Sequence, residues 1–476
     1  MLIIPGGSLV ESQSIKDNIL REILKMADAG KFVLGICSGF QILAKETDIG
    51  RLSSLPITRE GLGLLDAEFK PLICTDRVKA TITGKSFMTE EIGGEVTGFH
   101  CHTYGKIELG KNAKPILVSH ALRVNYHKNP QDLISGIANK EGNVVGVSIH
   151  ALLEQNPVLI QSIMKSLDIN AEELQEIRAA NAKLLKQIKS EIGISTNIIA
   201  QKAAEKTRSP ELILITAAGS GSGKTLIVTG VAGALKKKGF HVGVLKVGGD
   251  IRDAVPALYL IKEPIRDYSS IKIGESGWTP LFDAVKDAGK EYNFLIIEGA
   301  MSAFTGLLNE NVKRPSSTAE VAAALGTPTI IVVGCDKEGI EGALLDTVND
   351  VKTLKSLGVN IKGVILNKVR TSYLTDELKL VIKRALENTG AQLLGIVPRL
   401  ELEGRGAIPE IEIKYEEFGA KAVEAAENFI DLNLLTKLAT PLTENKVDYK
   451  AFSEKFKNIL TDSKSNTLKR RRETCS

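Results

Sequence analysis

Two sets of residues in this chain have the types and spacing that chemistry needs. The first is Thr216–Thr225, TAAGSGSGKT, set between an apolar run and a helix-compatible one. Gly219, Gly221 and Gly223 let backbone N–H groups close around phosphate oxygens, and the N-terminus of the following helix adds its positive dipole end. Lys224 is placed to reach the outer phosphates of ATP, and Thr225 to hold Mg2+ through its hydroxyl. The strict phosphate-loop spacing asks for Gly where this chain has Ala218, yet strand, loop, Lys-Thr and helix follow in the required order.

Three strand ends downstream belong with that loop. KVGGDIRD supplies Lys246, to neutralise transferring phosphate charge, and the carboxylates of Asp250 and Asp253. FLIIEG ends on Glu298, a carboxylate whose burial is costly unless it is paired or metal-bound. Thr225, Asp250 and Glu298 are the expected metal set. GVILNKV ends with Asn367, whose amide could read an adenine edge; a plain strand-end turn fits it nearly as well.

The second set is in the first third of the chain. Cys37 lies in LGICSGFQ, an apolar strand passing abruptly into a helix, with Gly35 and Gly39 permitting a tight turn. Such a turn exposes a thiol, and the helix N-terminus is expected to lower its pKa. A histidine on a separate strand end should act as its base: His150, in GVSIHALLEQNP, with His102, in GFHCHTYG, nearby. Cys74, Cys101 and Cys335 read as small hydrophobes, and His120, His127 and His241 as surface or packing residues.

These residues need scaffolds, and the pattern supplies two. Residues 1–165 alternate short apolar strands with helices, from LIIPGG through the helix after VVGVSIH. Residues 166–209 form a linker rich in Lys, Glu, Ala and Gln with a helical pattern. Residues 210–435 alternate six apolar strands with helix-compatible stretches, which predicts a parallel sheet with its site at the carboxyl ends of the strands. Residues 436–476 read as a helix over Tyr449–Leu460 and a disordered basic tail containing Lys469–Arg472.

Bulk properties narrow the classes. A net charge of +4 over 476 residues gives no argument for nucleic acid or a membrane. Five irregularly spaced cysteines point to a reducing compartment, and no run approaches the length of a membrane helix. A cytoplasmic enzyme is expected, and assembly as a homodimer is left open.

TAAGSGSGKT, KVGGDIRD, IEGAMSAFTG, SSTAEVAAALGTPTIIVVG and GVILNKV, in that order, resemble the cobyrinic acid a,c-diamide synthase family. The ATP domain of that family is similar to dethiobiotin synthetase, whose members also lack Gly at the position of Ala218. The flanks of Cys37 resemble the nucleophile elbow of class I glutamine amidotransferases, and Pro5-Gly6-Gly7 their oxyanion strand. His100 and His102 stand in a segment similar to one in the cobyric acid synthase branch, with His100 where that branch has Glu. The resemblance implies an α/β protein of two parallel-sheet domains, a class I amidotransferase-like one followed by a dethiobiotin-synthetase-like phosphate-loop one, the reverse of the family's usual order.

It also implies roles. Cys37 attacks the amide of glutamine, His150 handles the proton, and the N–H groups of Gly7 and Ser38 hold the oxyanion. Lys224, Thr225, Lys246, Asp250 and Glu298 position MgATP and a tetrapyrrole carboxylate, with His102, Asp253 and Thr318 directed at substrate. The product is an amide formed through an acyl phosphate, on a cobyrinate-like corrinoid or the related nickel–sirohydrochlorin.

Four departures matter. Ser302-Ala303-Phe304 and Pro409-Glu410-Ile411-Glu412 differ from the family near the substrate, and Leu152 replaces the glutamate that orients the histidine in many class I enzymes. The resemblance also implies a further strand–helix unit of about 30–40 residues before the oxyanion strand, so either the start lies upstream of Met1 or the first domain is shortened. A degenerate paralogue with an ATP-binding regulatory role stays open. A partitioning-type ATP switch is disfavoured, because its second signature lysine is Gly219 here.

Overall fold

The computed structural model describes residues 1–9, 15, 17–51, 53, 55–191, 209–309, 313–337, 339–402 and 413–473. The chain divides into two compact units, Met1–Lys206 with Gly404–Lys414, and Thr207–Glu403 with Tyr415–Ser476. Pro409–Glu412 of the sequence reading lies outside the described residues.

The first unit is built on a seven-stranded sheet in the order Leu2–Ile4, Val33–Ile36, Val144–Val147, His127–Asn139, Ala113–Val124, Arg77–Ile82, Glu95–Phe99. Its first three strands are parallel. The rest are antiparallel. Between the two longest strands, Asn125 and Tyr126 both take positive φ, as a two-residue hairpin turn demands. Alternation along the strands serves two cores: Val33 and Val144 join one apolar cluster, Leu34 and Val145 the other. A four-stranded sheet, Thr58–Glu60, Glu46–Asp48, Ala67–Lys70 and Lys106–Leu109, completes the unit. The helix Ala171–Glu191 follows.

The second unit is a sheet ordered Ser270–Ile271, Val242–Val247, Phe294–Glu298, Glu211–Thr216, Thr329–Gly334, Ile361–Val369, Gln392–Pro398. All of these pairs are parallel, and Thr440–Pro441 adds an antiparallel edge to Glu211–Thr216. The central strands are buried on both faces, which is why they read as continuous apolar runs rather than alternating ones. The helix Lys224–Lys237 leaves the loop and packs closely on Tyr415–Phe429, where a Cβ on Gly230 would sit 2.1 Å from the Ala422 carbonyl.

One boundary moves. The last helix runs over Tyr449–Glu473, through the basic run, rather than stopping at Leu460. No Gly or Pro interrupts that stretch, so nothing in it ends a helix. Among the described residues, no helix is long and apolar enough to cross a membrane.

Candidate functional sites

In the first unit Cys37 follows the strand Val33–Ile36 and caps the helix Ser38–Leu43 with φ 51° and ψ −110°. That conformation costs a non-glycine residue roughly 1–3 kcal/mol and persists only where its surroundings enforce it. Here the surroundings are close-packed backbone: the Cys37 N–H donates to Val147 O at 2.8 Å. A Cβ on Gly39 would lie 2.2 Å from Ile4 O, and one on Gly35 2.6 Å from Gly39 O. Glycine at both positions lets the elbow form.

His150 follows the strand Val144–Val147, where its N–H donates to Phe99 O at 2.8 Å and its carbonyl accepts from Phe99 N–H at 3.0 Å. Gly6 faces both reactive residues; a Cβ there would lie 3.2 Å from Cys37 Cβ and 3.3 Å from His150 Cε1. The structure thus packs Gly6, one residue before the Gly7 read from sequence, against the side chains of both reactive residues. The Ser38 backbone N–H lies close enough to the Cys37 thiol to favour its ionised form. Beside the pair lies a cavity of about 210 Å3 lined by Gly6, Ile36, His150 and Glu154 among others.

The protonation states differ from the sequence expectation. Burial pushes the Cys37 thiol up to about 11, more than the Ser38 N–H pulls it down. The helix behind it has six residues, too little to outweigh desolvation. Burial lowers His150 to about 4. Both shifts favour a neutral thiol beside a neutral imidazole in the resting site.

His102 does join this site: its ring stacks on His150 with centroids 6.3 Å apart and tilts against His100 at 4.5 Å. Sequence reasoning missed what lies behind it. His100 is buried, with Nδ1 3.3 Å from the Cys74 thiol and Nε2 at 3.0 and 3.1 Å from the hydroxyls of Ser119 and Ser135. Burial, then the neighbouring His150, lowers it to about 3. Alternation within GFHCHT was the available signal, since it sends His100 and His102 to one side of the chain.

In the second unit the loop has the geometry of a phosphate cradle. Gly221 and Gly223 take φ of 75° and 85°, and a Cβ on Gly223 would meet Asn367 Nδ2 at 2.2 Å. Thr225 Oγ1 donates to Glu298 Oε1 at 2.9 Å, across two adjacent parallel strands and the loop. Lys224 Nζ donates to Met301 O at 3.0 Å. Lys246 is 2% exposed, with Nζ 2.7 Å from Asp253 Oδ2, 2.8 Å from Gly299 O and 3.6 Å from Glu298 Oε1.

Charge balance follows from that packing. Burial pulls the Lys246 ammonium down, but Asp253 and Glu298 outweigh it and hold it charged, above its ordinary range. Burial and the Lys246 charge both lower Lys224. Burial raises Glu298, against the opposing pull of Lys246. Glu298 Oε2, Ser222 Oγ and Thr216 Oγ1 are buried with no hydrogen-bond partner. A buried orphan carboxylate oxygen beside a threonine hydroxyl fits a hard divalent cation such as Mg2+.

Three residues of the sequence reading are engaged by the protein itself. Both oxygens of Asp250 are engaged by the Arg252 guanidinium, at 2.7 and 2.6 Å, so Thr225 and Glu298 stand together without it. Thr318 is fully buried, and its hydroxyl accepts from Ala300 N–H at 2.9 Å, so it anchors the segment after Glu298 instead of meeting a substrate. Asn367 is 1% exposed and donates to Ser222 O at 2.9 Å, bracing the loop from below rather than facing a base. Gly219 is open: an added Cβ would meet nothing within 4 Å. Lys368, unnoticed in the sequence, donates to Gly221 O at 2.7 Å and pairs with Asp336 at 3.2 Å. Next to it is a cavity of about 360 Å3 lined by Cys335, Asp336, Lys337 and Arg370 among others.

Residues 1–158 match the model of the CobB/CobQ-like glutamine amidotransferase domain, and residues 213–405 that of the CobQ/CobB/MinD/ParA nucleotide binding domain. Among curated proteins, hydrogenobyrinate a,c-diamide synthase of Mycobacterium tuberculosis is 34% identical over 207 residues, covering 42% of this chain and 43% of that protein. Cobyrinate a,c-diamide synthase of Clostridium tetani is 32% identical over 208 residues, 42% of this chain and 44% of that protein. Cobyric acid synthase of Caldanaerobacter subterraneus is 33% identical over 168 residues, 33% of this chain and 31% of that protein. The chain thus spans less than half the length of each of these relatives.

Proposed function

From a chain that carries the two domain types of the cobyrinate a,c-diamide synthase and cobyric acid synthase family, one for glutamine and one for a nucleotide, we propose a glutamine-dependent, ATP-driven amidoligase. Its substrate class is a tetrapyrrole bearing side-chain carboxylates. The observation that carries the reading is the presence in one chain of both half-sites: Cys37 strained on an elbow facing His150, and Thr225 joined to Glu298 under a phosphate loop.

At the first site His150 takes the thiol proton as Cys37 Sγ attacks the carboxamide of glutamine, which reconciles a neutral resting pair with nucleophilic attack. The Ser38 N–H and a backbone N–H of the Gly6-Gly7 turn receive the oxyanion. His150 returns the proton to the leaving ammonia, and water then releases glutamate.

At the second site the loop holds the phosphates of ATP, and Lys224 exchanges the Met301 carbonyl for the outer phosphates. Thr225 and Glu298 would hold Mg2+, which when bound neutralises phosphate charge. Lys246, kept protonated by Asp253 and Glu298, sits where charge on the transferred phosphoryl group grows. The carboxylate oxygen of the substrate takes the γ-phosphoryl group, and ammonia displaces phosphate to leave the amide. The cavity beyond Lys368 and Asp336 takes the nucleoside end.

The test is amidation of cobyrinic acid or nickel–sirohydrochlorin with glutamine or with ammonium as nitrogen donor. Cys37→Ala should abolish the glutamine reaction and keep the ammonium reaction, while Lys224→Ala should stop both. Loss of both in folded Cys37→Ala protein would sink the two-site scheme.

A further inference from the structure

The first unit brings three metal-ligating side chains to one point. Cys37, His102 and His150 each offer a donor atom, and these atoms all lie within 4.8 Å of one another. Among the described residues, no other group of three His, Cys, Asp or Glu donors meets in this way.

The three arrive on separate, pinned segments. Cys37 is tied to Val147 at 2.8 Å; His102 exchanges backbone bonds with Cys74 at 3.0 and 3.1 Å; His150 exchanges them with Phe99. His150 Nε2 is buried with no hydrogen-bond partner, which leaves a ring nitrogen that no group in the fold uses. The proposed glutamine chemistry needs one thiol and one imidazole, and it gives His102 no task.

We propose that Cys37, His102 and His150 form a binding site for a thiophilic divalent cation of the Zn2+ class. One thiolate, two imidazoles and an open fourth position make a favourable set for such an ion and a poor one for Mg2+ or Ca2+, which prefer oxygen. Bonds of about 2.0–2.3 Å to a tetrahedral ion put its ligand atoms roughly 3.3–3.7 Å apart. Small rotations of the three side chains close the gap from 4.8 Å. Binding is a simple exchange: the thiol loses its proton to solvent, the sulfur lone pair goes to the metal, and nothing is oxidised or reduced.

One consequence rests on the reading of Cys37 as nucleophile. The thiol and imidazole that hold the ion are the pair that hydrolyses glutamine, so metal occupancy and glutamine turnover exclude each other. The site would then shut the glutaminase half while leaving ammonium-dependent amidation running.

The experiment uses Co2+ as a spectroscopic probe, titrated into the full metal-free chain. The expected result is a thiolate-to-Co2+ charge-transfer band in the near ultraviolet with tetrahedral visible bands, both erased by Zn2+. Cys37→Ser should lose the charge-transfer band, and His102→Ala and His150→Ala should weaken binding by about tenfold or more. His102→Gln, closer in volume, repeats the test should the alanine variant misfold. Wild-type Co2+ affinity in folded His102 variants, or a charge-transfer band that survives Cys37→Ser, overturns the site. Protein that binds Co2+ as described yet hydrolyses no glutamine when metal-free supports the site and sinks the nucleophile reading instead.

Discussion

Thr225 Oγ1 donates to Glu298 Oε1 at 2.9 Å, joining the first turn of the loop helix to a strand end 73 residues later. The other oxygen of Glu298 is buried without a partner, so the pair is organised around something that the protein alone does not supply. Glu298→Gln keeps the shape and removes the charge. It should lower ATP-dependent amidation by roughly 100-fold or more, as loss of one preorganised electrostatic partner does. Thr225→Ala should act in the same direction. Steady-state kinetics across a Mg2+ titration checks this, and unchanged rates in both variants would dismiss the metal set.

The neutral Cys37–His150 pair sets the pH profile. An ordinary histidine base loses activity below its usual pKa of 6.5, but burial takes His150 to about 4. The working form, neutral imidazole with neutral thiol, therefore survives down to that pH. The acid limb of kcat/KM for glutamine hydrolysis should fall with an apparent pKa near 4 rather than 6.5. An acid limb at the ordinary value would mean that desolvation of this half-buried pair does not set the titration of His150.

Acid should also weaken the first unit. The unfolded chain binds a proton at His150 below its ordinary 6.5, while the folded chain resists until about 4. The unfolded state therefore holds more protons in that window, and stability falls as pH falls through it. The loss from His150 alone is roughly 3 kcal/mol across the window, and His100, lowered to about 3, adds to it. Melting curves between neutral pH and pH 4 measure the effect, and His150→Gln should flatten part of the slope.

Much of the second unit is legible in the sequence because its strands are buried on both faces and end on chemistry. Glu298 closing FLIIE and Lys246 within VGVLKV announce themselves as charges inside apolar runs. Asn367 is as conspicuous but serves the loop, because its strand end passes beneath Ser222, a relation only the sheet order creates. Asp250 is paired with a guanidinium two residues away, a local pairing that strand-end logic does not see. In the first unit the elbow is legible from Gly-x-Cys-x-Gly after an apolar strand. His102 beside His150 is legible too, but the place of His100 behind them is not, because it depends on non-local contacts with Cys74, Ser119 and Ser135.

The choice between Gly6 and Gly7 is open to a direct test. A Cβ on Gly6 would be 3.2 Å from Cys37 Cβ and 3.3 Å from His150 Cε1, tight contacts that push on both reacting groups. Gly6→Ala should therefore cut glutamine-dependent amidation by about 100-fold, the usual cost of a disturbed oxyanion site, and leave the ammonium reaction intact. Equal losses with both donors would locate the defect in folding rather than in the site.

Lys246 links stability to charge in the second unit. Its ammonium lies between Asp253 and Glu298, and Lys246→Met would leave two carboxylates facing each other around an apolar side chain. Removing one partner of a buried ion pair costs about 3–5 kcal/mol. Most of that falls on Glu298, 1% exposed, because the Asp253 side chain is 38% exposed and water screens it. In the wild type Lys246 holds Asp253 below its ordinary range, so the pair's contribution is present above the unfolded carboxylate pKa and is lost as pH falls. The variant has no such contribution to lose, and its carboxylates become neutral at higher pH. Melting temperatures of wild type and Lys246→Met should therefore lie far apart near neutral pH and converge on acidification. Lys246→Met combined with Glu298→Gln should recover part of the loss. A gap between the curves that is constant with pH would assign the cost of the substitution to packing, and with it remove the argument that Lys246 is charged in the folded protein.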